Sequence, residues 1–277
     1  EQTRTVAMLS FRDLVSGFRK LNLDPQRPVM VHASFSSFGE EVRGGAETLL
    51  GALLATSNAL IAPTFTYKTM VVPGDGPPDN GITYGSGKES NLMAEFYRST
   101  MPADRLMGIF AETLRLHPNA ERSSHPILSF SAINLDDALQ AQTLQDPLAP
   151  IRLLAQKQAW IMLIGVDHTV NTAIHYAEKL AGRKQFLRWA LTAQGVVECP
   201  GFPGCSNGFQ DAEEWLSGIT QSVKIGEALI EALPLQPMLN LLTEKIKEDP
   251  LALLCSSSNC ERCSTVWSGV TKMVENS

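Results

Sequence analysis

The stretch NTAIHYAEKLAG, at residues 171–182, places a histidine and a glutamate three positions apart. Residues with this spacing share one face of a helix, so the side chains of His175 and Glu178 can touch. A carboxylate that accepts a hydrogen bond from one ring nitrogen fixes the imidazole tautomer and leaves the other nitrogen as a base. The pair therefore indicates proton transfer. The alternative interpretation is a surface salt bridge, or a histidine held in the core by its neighbour.

Serines and glycines follow a predicted strand in VHASFSSFGEEVRGGAETLL, at residues 31–50, and a helix begins near its end. This order leaves free backbone N–H groups at the helix start, beside the hydroxyls of Ser34, Ser36 and Ser37. Such groups favour an anion, above all a phosphate, and Arg43 can add positive charge. The stretch has neither the G-x-G-x-x-G of dinucleotide sites nor the G-K-[ST] of a P-loop. The alternative is an ordinary strand-to-helix connection capped by serines.

Two further histidines lie where a ligand could bind. His32 ends a predicted strand just before the serine loop, and ligands bind beyond the carboxyl ends of strands in open α/β sheets. His125 lies in the polar stretch RSSHPILS. The alternatives are a buried imidazole bonded to the backbone for His32, and an ordinary turn before Pro126 for His125.

The five cysteines of the chain include a cluster near its end, CSSSNCERC. Cys260 and Cys263 have the C-x-x-C spacing of a zinc knuckle, and Cys255 precedes them. A structural zinc site would need a fourth ligand from Cys199, Cys205 or a histidine. The alternative is a set of free thiols.

Composition limits the class of protein. Apolar residues make up 44% of the 277 residues and charged residues 19%, which is typical of a globular protein. The net charge of −6 gives no basic surface for nucleic acid. No apolar run approaches the roughly 20 residues of a membrane helix, and the first residues lack the pattern of a signal peptide. We therefore expect a cytoplasmic protein with no membrane contact.

Strands alternate with helices over the first two thirds of the chain, which predicts a layered α/β fold. The continuous apolar run at 159–166 indicates a strand buried on both faces. The region 211–249 is predicted to be mainly helical, with breaks at Pro234 and Pro237. Other predicted elements are strands at 28–34 and 59–65, helices at 10–23, 44–55, 91–99 and 108–117, and an antiparallel hairpin at 184–200.

Five stretches occur in a fixed order along the chain: VHASFSSFG, GGAETLLGAL, APTFTY, RSSHPILS and LIGVDHTVNTAIHYAE. Together they resemble the aminoglycoside 3-N-acetyltransferase family, also called the antibiotic N-acetyltransferases. The resemblance runs from about Pro28 to the PGCSNGF segment at 203–209. Several motifs in the right order are far more specific than any one of them.

This resemblance implies one domain over residues 1–277, with a layered αβα fold, a central mixed sheet and a smaller antiparallel β and helical C-terminal part. It implies an acyltransferase that moves the acetyl group of acetyl-CoA to a small-molecule amine, the 3-N amine of an aminoglycoside, and so confers antibiotic resistance. Transfer is direct, in a ternary complex, so the cysteines need not be nucleophiles. Coenzyme A and the amine are the implied partners, with a homodimer as an open assembly state.

The resemblance also assigns roles to residues. The family's H-x-A-E motif matches His175 and Glu178 as base and orienting carboxylate, and its histidine at the end of the first strand matches His32. Many members carry an aspartate where this chain has Thr169, and the nearby Asp167 is expected to replace it. The coenzyme is assigned to the serine loop, the following glycines and the RSSHPILS segment, at Ser34, Ser36, Ser37, Gly39, Gly44, Gly45, His125 and Ser129.

Glycine and proline are dense from Val71 to Ser90, and no period is visible there. A long loop inside a compact protein is usually a functional flap or is disordered. We predict a lid over the acceptor site, because acidic residues outnumber the one lysine, Lys88, and suit a cationic acceptor. These acidic residues are Asp75, Asp79 and Glu89.

Two other classes of function remain open at this point. A hydrolase of phosphorylated or acylated small molecules could use the same histidine and hold a phosphate in the same loop. A non-catalytic, zinc-organised binding protein would instead depend on Cys255, Cys260 and Cys263. A requirement for coenzyme A separates the first from acetyl transfer, and metal content addresses the second.

Overall fold

A seven-stranded mixed sheet lies at the centre of the protein, which the computed structural model describes over residues 8–275. A second, three-stranded sheet lies beside it. The strands are β1 (Met8–Leu9), β2 (Val29–Ala33), β3 (Glu41–Val42), β4 (Leu60–Pro63), β5 (Met70–Val71), β6 (Glu121–Arg122), β7 (Phe130–Ile133), β8 (Trp160–Ile164), β9 (Phe186–Thr192), β10 (Gly195–Phe202), β11 (Gln221–Ile225) and β12 (Ala228–Pro234).

Three neighbouring strands in the middle of the central sheet are parallel. The order across the sheet is β11-β12-β8-β2-β4-β7-β6, and β2 pairs in parallel with both β8 and β4. Antiparallel strands flank this trio, β12 beside β8 and β7 beside β4. Parallel strands end at the same edge of a sheet, so the chain segments that follow β8, β2 and β4 are brought together there.

The central strands are buried on both faces, which explains their continuous apolar sequences. Every residue of β8 and of β4 is buried. Side chains alternate across the sheet, so Val29 and Val31 contribute to one hydrophobic core whereas Met30 contributes to the other. A sheet with an apolar core on each face requires helices on both sides, and this is the layered αβα arrangement that the sequence predicts.

The helices form the two outer layers. Helices α1, α2 and α4 cover one face, and α5, α6, α7 and α9 cover the other. The helices are α1 (Phe11–Arg19), α2 (Gly45–Leu54), α3 (Lys88–Leu92), α4 (Gly108–Leu116), α5 (Asp136–Gln140), α6 (Ala149–Gln156), α7 (Ile174–Leu180), α8 (Glu213–Leu216), α9 (Leu235–Glu248) and α10 (Glu261–Glu275).

The start of α1 follows the sequence prediction. The side chain of Ser10 accepts a hydrogen bond from the backbone N–H of Asp13, and the Asp13 carboxylate accepts from the backbone N–H of Ser10. This reciprocal capping box satisfies two amide groups that the helix leaves unpaired. The buried residues Leu14, Val15 and Phe18 form an apolar stripe, whereas Phe11 at the helix start is exposed.

The smaller sheet contains the predicted hairpin. Strands β9 and β10 pair antiparallel around a turn before Gly195, and β5 joins the other edge of β9. The smaller sheet therefore combines strands from the first and the second half of the chain. The αβα fold with a smaller antiparallel part is confirmed, and strands β11 and β12 additionally extend the central sheet.

One predicted helix, at 91–99, is wrong. Helix α3 ends at Leu92, and the chain then runs beside other segments: the N–H of Glu95 donates to the carbonyl of Lys68, and that of Tyr97 donates to Leu191. These tertiary hydrogen bonds replace the intrahelical ones, so local helix propensity does not decide the structure here.

The mainly helical prediction for 211–249 is also wrong in part. Residues 221–234 form the β11–β12 hairpin, and α9 begins only after Pro234. Gly226 adopts a φ of 56° in the two-residue connection, a conformation that glycine tolerates best. Buried and exposed residues alternate along β12, and its Leu233 and Pro234 pair with β8. The two-residue period of a strand thus outweighs the helical pattern.

Within residues 8–275, no helix combines the length and the apolar composition that a membrane-spanning segment requires. The expectation of no signal peptide concerns the first residues of the chain, and residues 1–7 lie outside the described residues.

Gly165, directly after β8, offers a test of how closely the strand ends approach the serine loop. Its φ is +59°, and an added Cβ would lie 1.8 Å from Oγ of Ser37. Gly182 also has a positive φ, of +82°, but a Cβ there meets no atom within 4 Å. We expect Gly182→Ala to cost about 1–2 kcal/mol of backbone strain. Gly165→Ala should cost clearly more, because it also displaces Ser37.

Thermal unfolding measured by calorimetry compares the two variants with the parent. Equal decreases in Tm for Gly165→Ala and Gly182→Ala would contradict the close approach of Gly165 and Ser37.

Candidate active site

A cavity of about 380 Å³ opens at the carboxyl ends of the three parallel strands. Its volume lies in the range of small-molecule sites. Strand β2 and the segment after β4 contribute Val31, His32, Ala33, Pro63, Phe65 and Tyr67. The chain before and within α4 contributes Leu106, Met107, Phe110 and Ala111. The remaining wall consists of Val166, Thr169, Val170, Asn171, Thr172, His175, Phe202, Pro203, Gly204, Cys205, Ser206, Asn207 and Arg262.

His175 and Glu178 touch on α7, as their spacing predicts. Nδ1 of His175 lies 2.7 Å from Oε2 of Glu178. His175 lines the cavity, whereas Glu178 is only 1% exposed. An ionised carboxylate only accepts hydrogen bonds, so Nδ1 carries the ring proton and Nε2 keeps its lone pair. This is the geometry of a base and its orienting acid.

Arg183 completes a buried chain of three side chains. Its Nη1 donates to Oε1 of Glu178 over 2.8 Å, and both side chains are at most 3% exposed. A buried carboxylate is costly unless it is paired and hydrogen-bonded, and here each oxygen has a partner. The guanidinium therefore occupies one carboxylate oxygen of Glu178 and the imidazole of His175 the other.

Short-range contacts fix the start of α7. The side-chain oxygen of Asn171 accepts from the backbone N–H of Ala173, one turn before the catalytic candidate. The ring of Phe209 packs against that of His175 edge to face, with centroids 4.7 Å apart. A hydrogen bond on one side and an aromatic ring on the other restrict rotation of the imidazole.

His32 lies in the cavity wall as an uncharged imidazole. Burial, together with the smaller effect of the neighbouring His168, lowers the pKa of His32 to about 3. Burial likewise lowers the pKa of His168 below its usual value. Nε2 of His32 has no hydrogen-bond partner among the described residues. A neutral imidazole with an unused ring nitrogen could donate to a ligand atom in the cavity.

The serine loop lines a second, more open groove of about 620 Å³. Ser34 and Ser37 belong to its wall, together with Gly165 and Asp167. Val166 and Val170 line both this groove and the cavity with His175, so the two spaces adjoin.

Hydrogen bonds within the serine loop hold its shape. Oγ of Ser37 donates to the carbonyl of Ser34 over 2.6 Å, and the hydroxyls of Ser34 and Ser36 lie 3.3 Å apart. Gly39 follows in the left-handed conformation, with a φ of 64°. The backbone N–H of Ser34 donates to Ile164 at the end of β8, which ties the loop to the sheet edge.

The assigned coenzyme residues beyond the serine loop lie outside both walls. Gly44 and Gly45 begin α2 with positive φ angles and no side-chain cap. Nδ1 of His125 accepts from the backbone N–H groups of residues 127 and 128, and Oγ of Ser129 donates to the carbonyl of Thr64. His125 thus holds its own turn and Ser129 contacts the segment after β4, and a coenzyme contact for these four residues stays a prediction.

Acidic groups are sparse at the cavity. Among the described residues, no aspartate or glutamate belongs to its wall. Asp167 lies in the outer groove, where its carboxylate accepts from the backbone N–H of Thr169 over 2.9 Å, and Thr169 itself lines the cavity. Asp167 therefore stands at the rim of the site, two residues before Thr169.

The loop at 71–90, for which we predict a lid, packs against neighbouring elements. Asn80 hydrogen-bonds both backbone groups of Leu187 on β9, at 2.8 and 3.0 Å, and Thr83 donates to Glu261 on α10. None of its described residues lines the cavity. Lid movement over an acceptor stays a prediction.

The cysteine cluster gains a fourth member. The sulfur atoms of Cys255, Cys260, Cys263 and Cys205 all lie within 4.8 Å of one another. Cys205 also lines the cavity, whereas Cys199 lies apart in the core of the protein. The structure thus selects Cys205 among the candidates for the fourth sulfur.

Known proteins match this chain over most of its length. Residues 30–247 match the family model described as aminoglycoside 3-N-acetyltransferase. The chain belongs to this family. A relative from Bacillus subtilis, the SPbeta prophage-derived aminoglycoside N(3')-acetyltransferase-like protein YokD, is 27% identical over 60% of this chain and 64% of its own. Aminoglycoside N(3)-acetyltransferase VII of Streptomyces paromomycinus is 31% identical over 61% of this chain and 59% of its own.

The fold similarity extends over most of the chain. The crystal structure of the apoenzyme of AAC(3)-IVa aligns with a TM-score of 0.77 and 22% identity, over 95% of this chain and 99% of that one. At this identity the likeness establishes the fold alone. The sequence matches to the curated acetyltransferases span about 60% of those relatives' own length.

Sequence reasoning missed three of the residues around this acetyltransferase-family site. Arg183 lies five positions after Glu178, beyond the spacing of helical neighbours, so no periodic signal indicates it. Phe209 and Arg262 come from distant segments and meet the site only in the folded chain. The PGCSNGF segment, quoted for its family likeness, was the available signal for Phe209.

Buried neutral histidines predict loss of stability in acid. Burial lowers the pKa of His125 to about 4 from its usual 6.5. Below about pH 6.5 His125 is protonated in the unfolded chain, but in the folded chain it is protonated only below about pH 4. The free energy of unfolding therefore decreases as the pH is lowered from about 6.5 to about 4. In His125→Asn the side-chain oxygen can replace Nδ1 as acceptor without titrating. We expect this variant to lose about 2 kcal/mol less than the parent between about pH 7 and about pH 5.

Urea unfolding curves at the two pH values give both free energies. Identical losses in the parent and in His125→Asn would contradict a neutral, buried His125.

Proposed function

We propose that this protein transfers the acetyl group of acetyl-CoA to an amine of a small molecule, with an aminoglycoside as the acceptor class. The observation that carries the proposal is the buried chain His175–Glu178–Arg183 at the wall of a cavity that adjoins the serine-lined groove. The family supplies the acceptor class, since its curated relatives are named for aminoglycosides.

His175 acts as the general base in this proposal. The acceptor amine is an ammonium ion near neutral pH, so it must lose a proton before its lone pair can attack. Nε2 of His175 takes that proton while Glu178 stabilises the charged ring. The nitrogen bonds to the thioester carbonyl carbon, the C–S bond breaks, and the coenzyme sulfur leaves with the proton from His175. The acylated nitrogen then gives its second proton to the freed Nε2 of His175, which releases it to solvent. No bond to the protein forms, so transfer is direct within a ternary complex.

His32 is proposed to stabilise the charge on the thioester oxygen. That oxygen becomes negative as the amine attacks, and a prepared N–H group within the cavity lowers the energy of this state. Nε2 of His32 is unpartnered and the ring is uncharged near neutral pH, so the ring can donate without repelling the ammonium group.

The groove is proposed to hold the coenzyme and the cavity its thioester end. The proposed contacts are Ser34 and Ser37 in the groove wall, and Ser36, Gly39, Gly44 and Gly45 beyond it, through hydroxyls and backbone N–H groups at a helix start. Enzymes of this fold have been solved with CoASH and with apramycin. Glu227 also lines the groove, and its negative charge opposes a phosphate at that end.

The hydrolase alternative finds less support in the site. Oγ of Ser37 donates to a backbone carbonyl, and Ser34 and Ser36 pair with each other, so these hydroxyls are engaged away from His175.

The location proposed for the reaction is the cytoplasm, which supplies acetyl-CoA. A homodimer stays a prediction that light scattering after gel filtration tests.

The dyad is tested by matched histidine variants. We expect His175→Ala to lower kcat by roughly 10²- to 10⁴-fold, because the amine then lacks its base. Glu178→Gln should lower kcat as well, since a neutral amide no longer stabilises the charged imidazole. His117→Ala, at the end of α4 and outside the cavity, serves as the control and keeps the parent's rate. Thiol release from acetyl-CoA measures each rate, and a fully active His175→Ala would refute the assigned base.

The acceptor class is tested with a panel of amines. Aminoglycosides and simple monoamines are each incubated with acetyl-CoA, and acetylated products are identified by mass spectrometry. We expect acetyl transfer to an aminoglycoside that stops when acetyl-CoA is omitted. Acylation of monoamines alone would exclude the aminoglycoside class, and turnover of acyl or phosphoryl substrates without coenzyme A would favour the hydrolase.

A further inference from the structure

Four sulfur atoms meet beside the cavity although their cysteines come from distant parts of the chain. Cys255, Cys260 and Cys263 lie within nine residues, and Cys205 reaches them from the segment after β10. All four atoms lie within 4.8 Å of one another. Sulfur ligands about 2.3 Å from a tetrahedral zinc ion are about 3.8 Å apart, so a small contraction closes this set around the metal.

The donor set determines which ion fits. Four thiolates select zinc or an iron–sulfur centre over hard cations, and the C-x-x-C pair is typical of structural zinc sites. Four protein ligands leave no open position, so such an ion does not activate water or substrate. In a reducing cytoplasm the same cysteines remain thiols rather than disulfides.

Cys205 directly follows the backbone segment that covers the Glu178 carboxylate. Cys205 follows Gly204, and a Cβ on Gly204 would lie 3.6 Å from both carboxylate oxygens of Glu178. Nη1 of Arg262 donates to the carbonyls of Pro203 and Gly204, at 3.2 and 2.7 Å. Arg262 directly precedes Cys263. The backbone at 203–204, which lies over Glu178, is therefore held by the neighbour of Cys263 and is continuous with Cys205.

A second connection reaches Glu178 through its guanidinium partner. Nη2 of Arg183 donates to the carbonyls of Pro250 and Ala252, at 2.8 and 2.6 Å. Ala252 lies three residues before Cys255. The chain from 249 to 260 contains neither helix nor strand, so regular backbone hydrogen bonding contributes little to its position.

We propose that Cys205, Cys255, Cys260 and Cys263 bind one structural zinc ion, which positions the Glu178 carboxylate from both sides. The cysteines are positioning residues, and this role rests on the proposed acetyl transfer, whereas the metal site does not. The ion crosslinks the segment over Glu178, the irregular chain that anchors Arg183, and the start of α10. Loss of the ion does not remove His175, Glu178 or Arg183, but it makes the backbone that holds them more mobile.

The metal site is tested on the purified full-length protein by metal analysis and by cobalt substitution. We expect about one zinc per chain, and a cobalt form with the absorption bands of tetrahedral thiolate ligation. Absence of bound metal in protein with four reactive thiols, or disulfides within the cluster, would overturn the proposal. An iron–sulfur absorption spectrum would overturn the assignment to zinc.

Positioning is tested by three matched variants. Cys260→Ala removes a ligand that does not line the cavity, Cys260→His keeps a zinc ligand at the same position, and Cys199→Ala removes a buried thiol outside the cluster. We expect Cys260→Ala to lose zinc, to lower kcat roughly 10- to 100-fold with little change in KM for acetyl-CoA, and to move the acid limb of the pH profile of kcat. Cys260→His should recover zinc and most of kcat, and Cys199→Ala should match the parent.

Hydrogen exchange gives a readout that needs no activity. Amide protection at 203–207 should fall in Cys260→Ala and return in Cys260→His. Zinc loss with unchanged protection and an unchanged pH profile would refute the positioning role.

If Cys260→Ala fails to fold, chelation of the parent followed by zinc readdition provides the same comparison. A parent that binds zinc but transfers no acetyl group would refute the proposed function and leave the metal site standing.

Discussion

The buried carboxylate of Glu178 is the group on which the rest of the site depends. A charge at 1% exposure is stable only because His175 and Arg183 each contact one of its oxygens. Removing one partner from such a buried pair typically costs about 3–5 kcal/mol, since the remaining charge loses its compensation. The fold therefore has to hold the histidine and the arginine in fixed positions, and helix α7 with the turn after it does so within nine residues.

The central sheet decides what surrounds this carboxylate. Strands β8, β2 and β4 are parallel, so the segments that follow them arrive at one edge although they are far apart in sequence. His32 arrives from β2, the wall at Phe65 and Tyr67 from the chain after β4, and α7 from the chain after β8. The smaller sheet then brings the 202–207 segment against the open side of the carboxylate, and α10 closes the wall with Arg262.

Charge is distributed unevenly around the cavity. The described wall carries two imidazoles and one guanidinium, while carboxylates lie behind it, as in Glu178, or at the rim, as in Asp167. In the proposed step a proton moves onto His175. Glu178 behind the ring stabilises the resulting charge, and no carboxylate in the described wall competes for the proton. Attraction of a polycationic acceptor would therefore come from the rim and from the loops outside it rather than from the wall that surrounds the thioester.

The amino-acid sequence by itself determined the features that follow from local periodicity and spacing. The apolar run at 159–166 indicated a doubly buried strand, Ser10 indicated a helix start, and the three-residue interval between His175 and Glu178 indicated their contact, because each of these depends only on neighbours along the chain. Motif order, from the serine loop to the H-x-A-E stretch, indicated the family. These signals were sufficient for the layered fold and for the centre of the candidate site.

Tertiary structure decided the rest. Residues 91–99 have helical propensity, yet after Leu92 hydrogen bonds to β9 and to the chain before β5 replace those of a helix. The β11–β12 hairpin forms because it completes the central sheet beside β8. Arg183, Arg262 and Cys205 acquire their places from contacts across tens of residues, for which a single sequence carries no periodic signal. Which groups meet at one sheet edge depends on strand order, and strand order is a property of the folded chain alone.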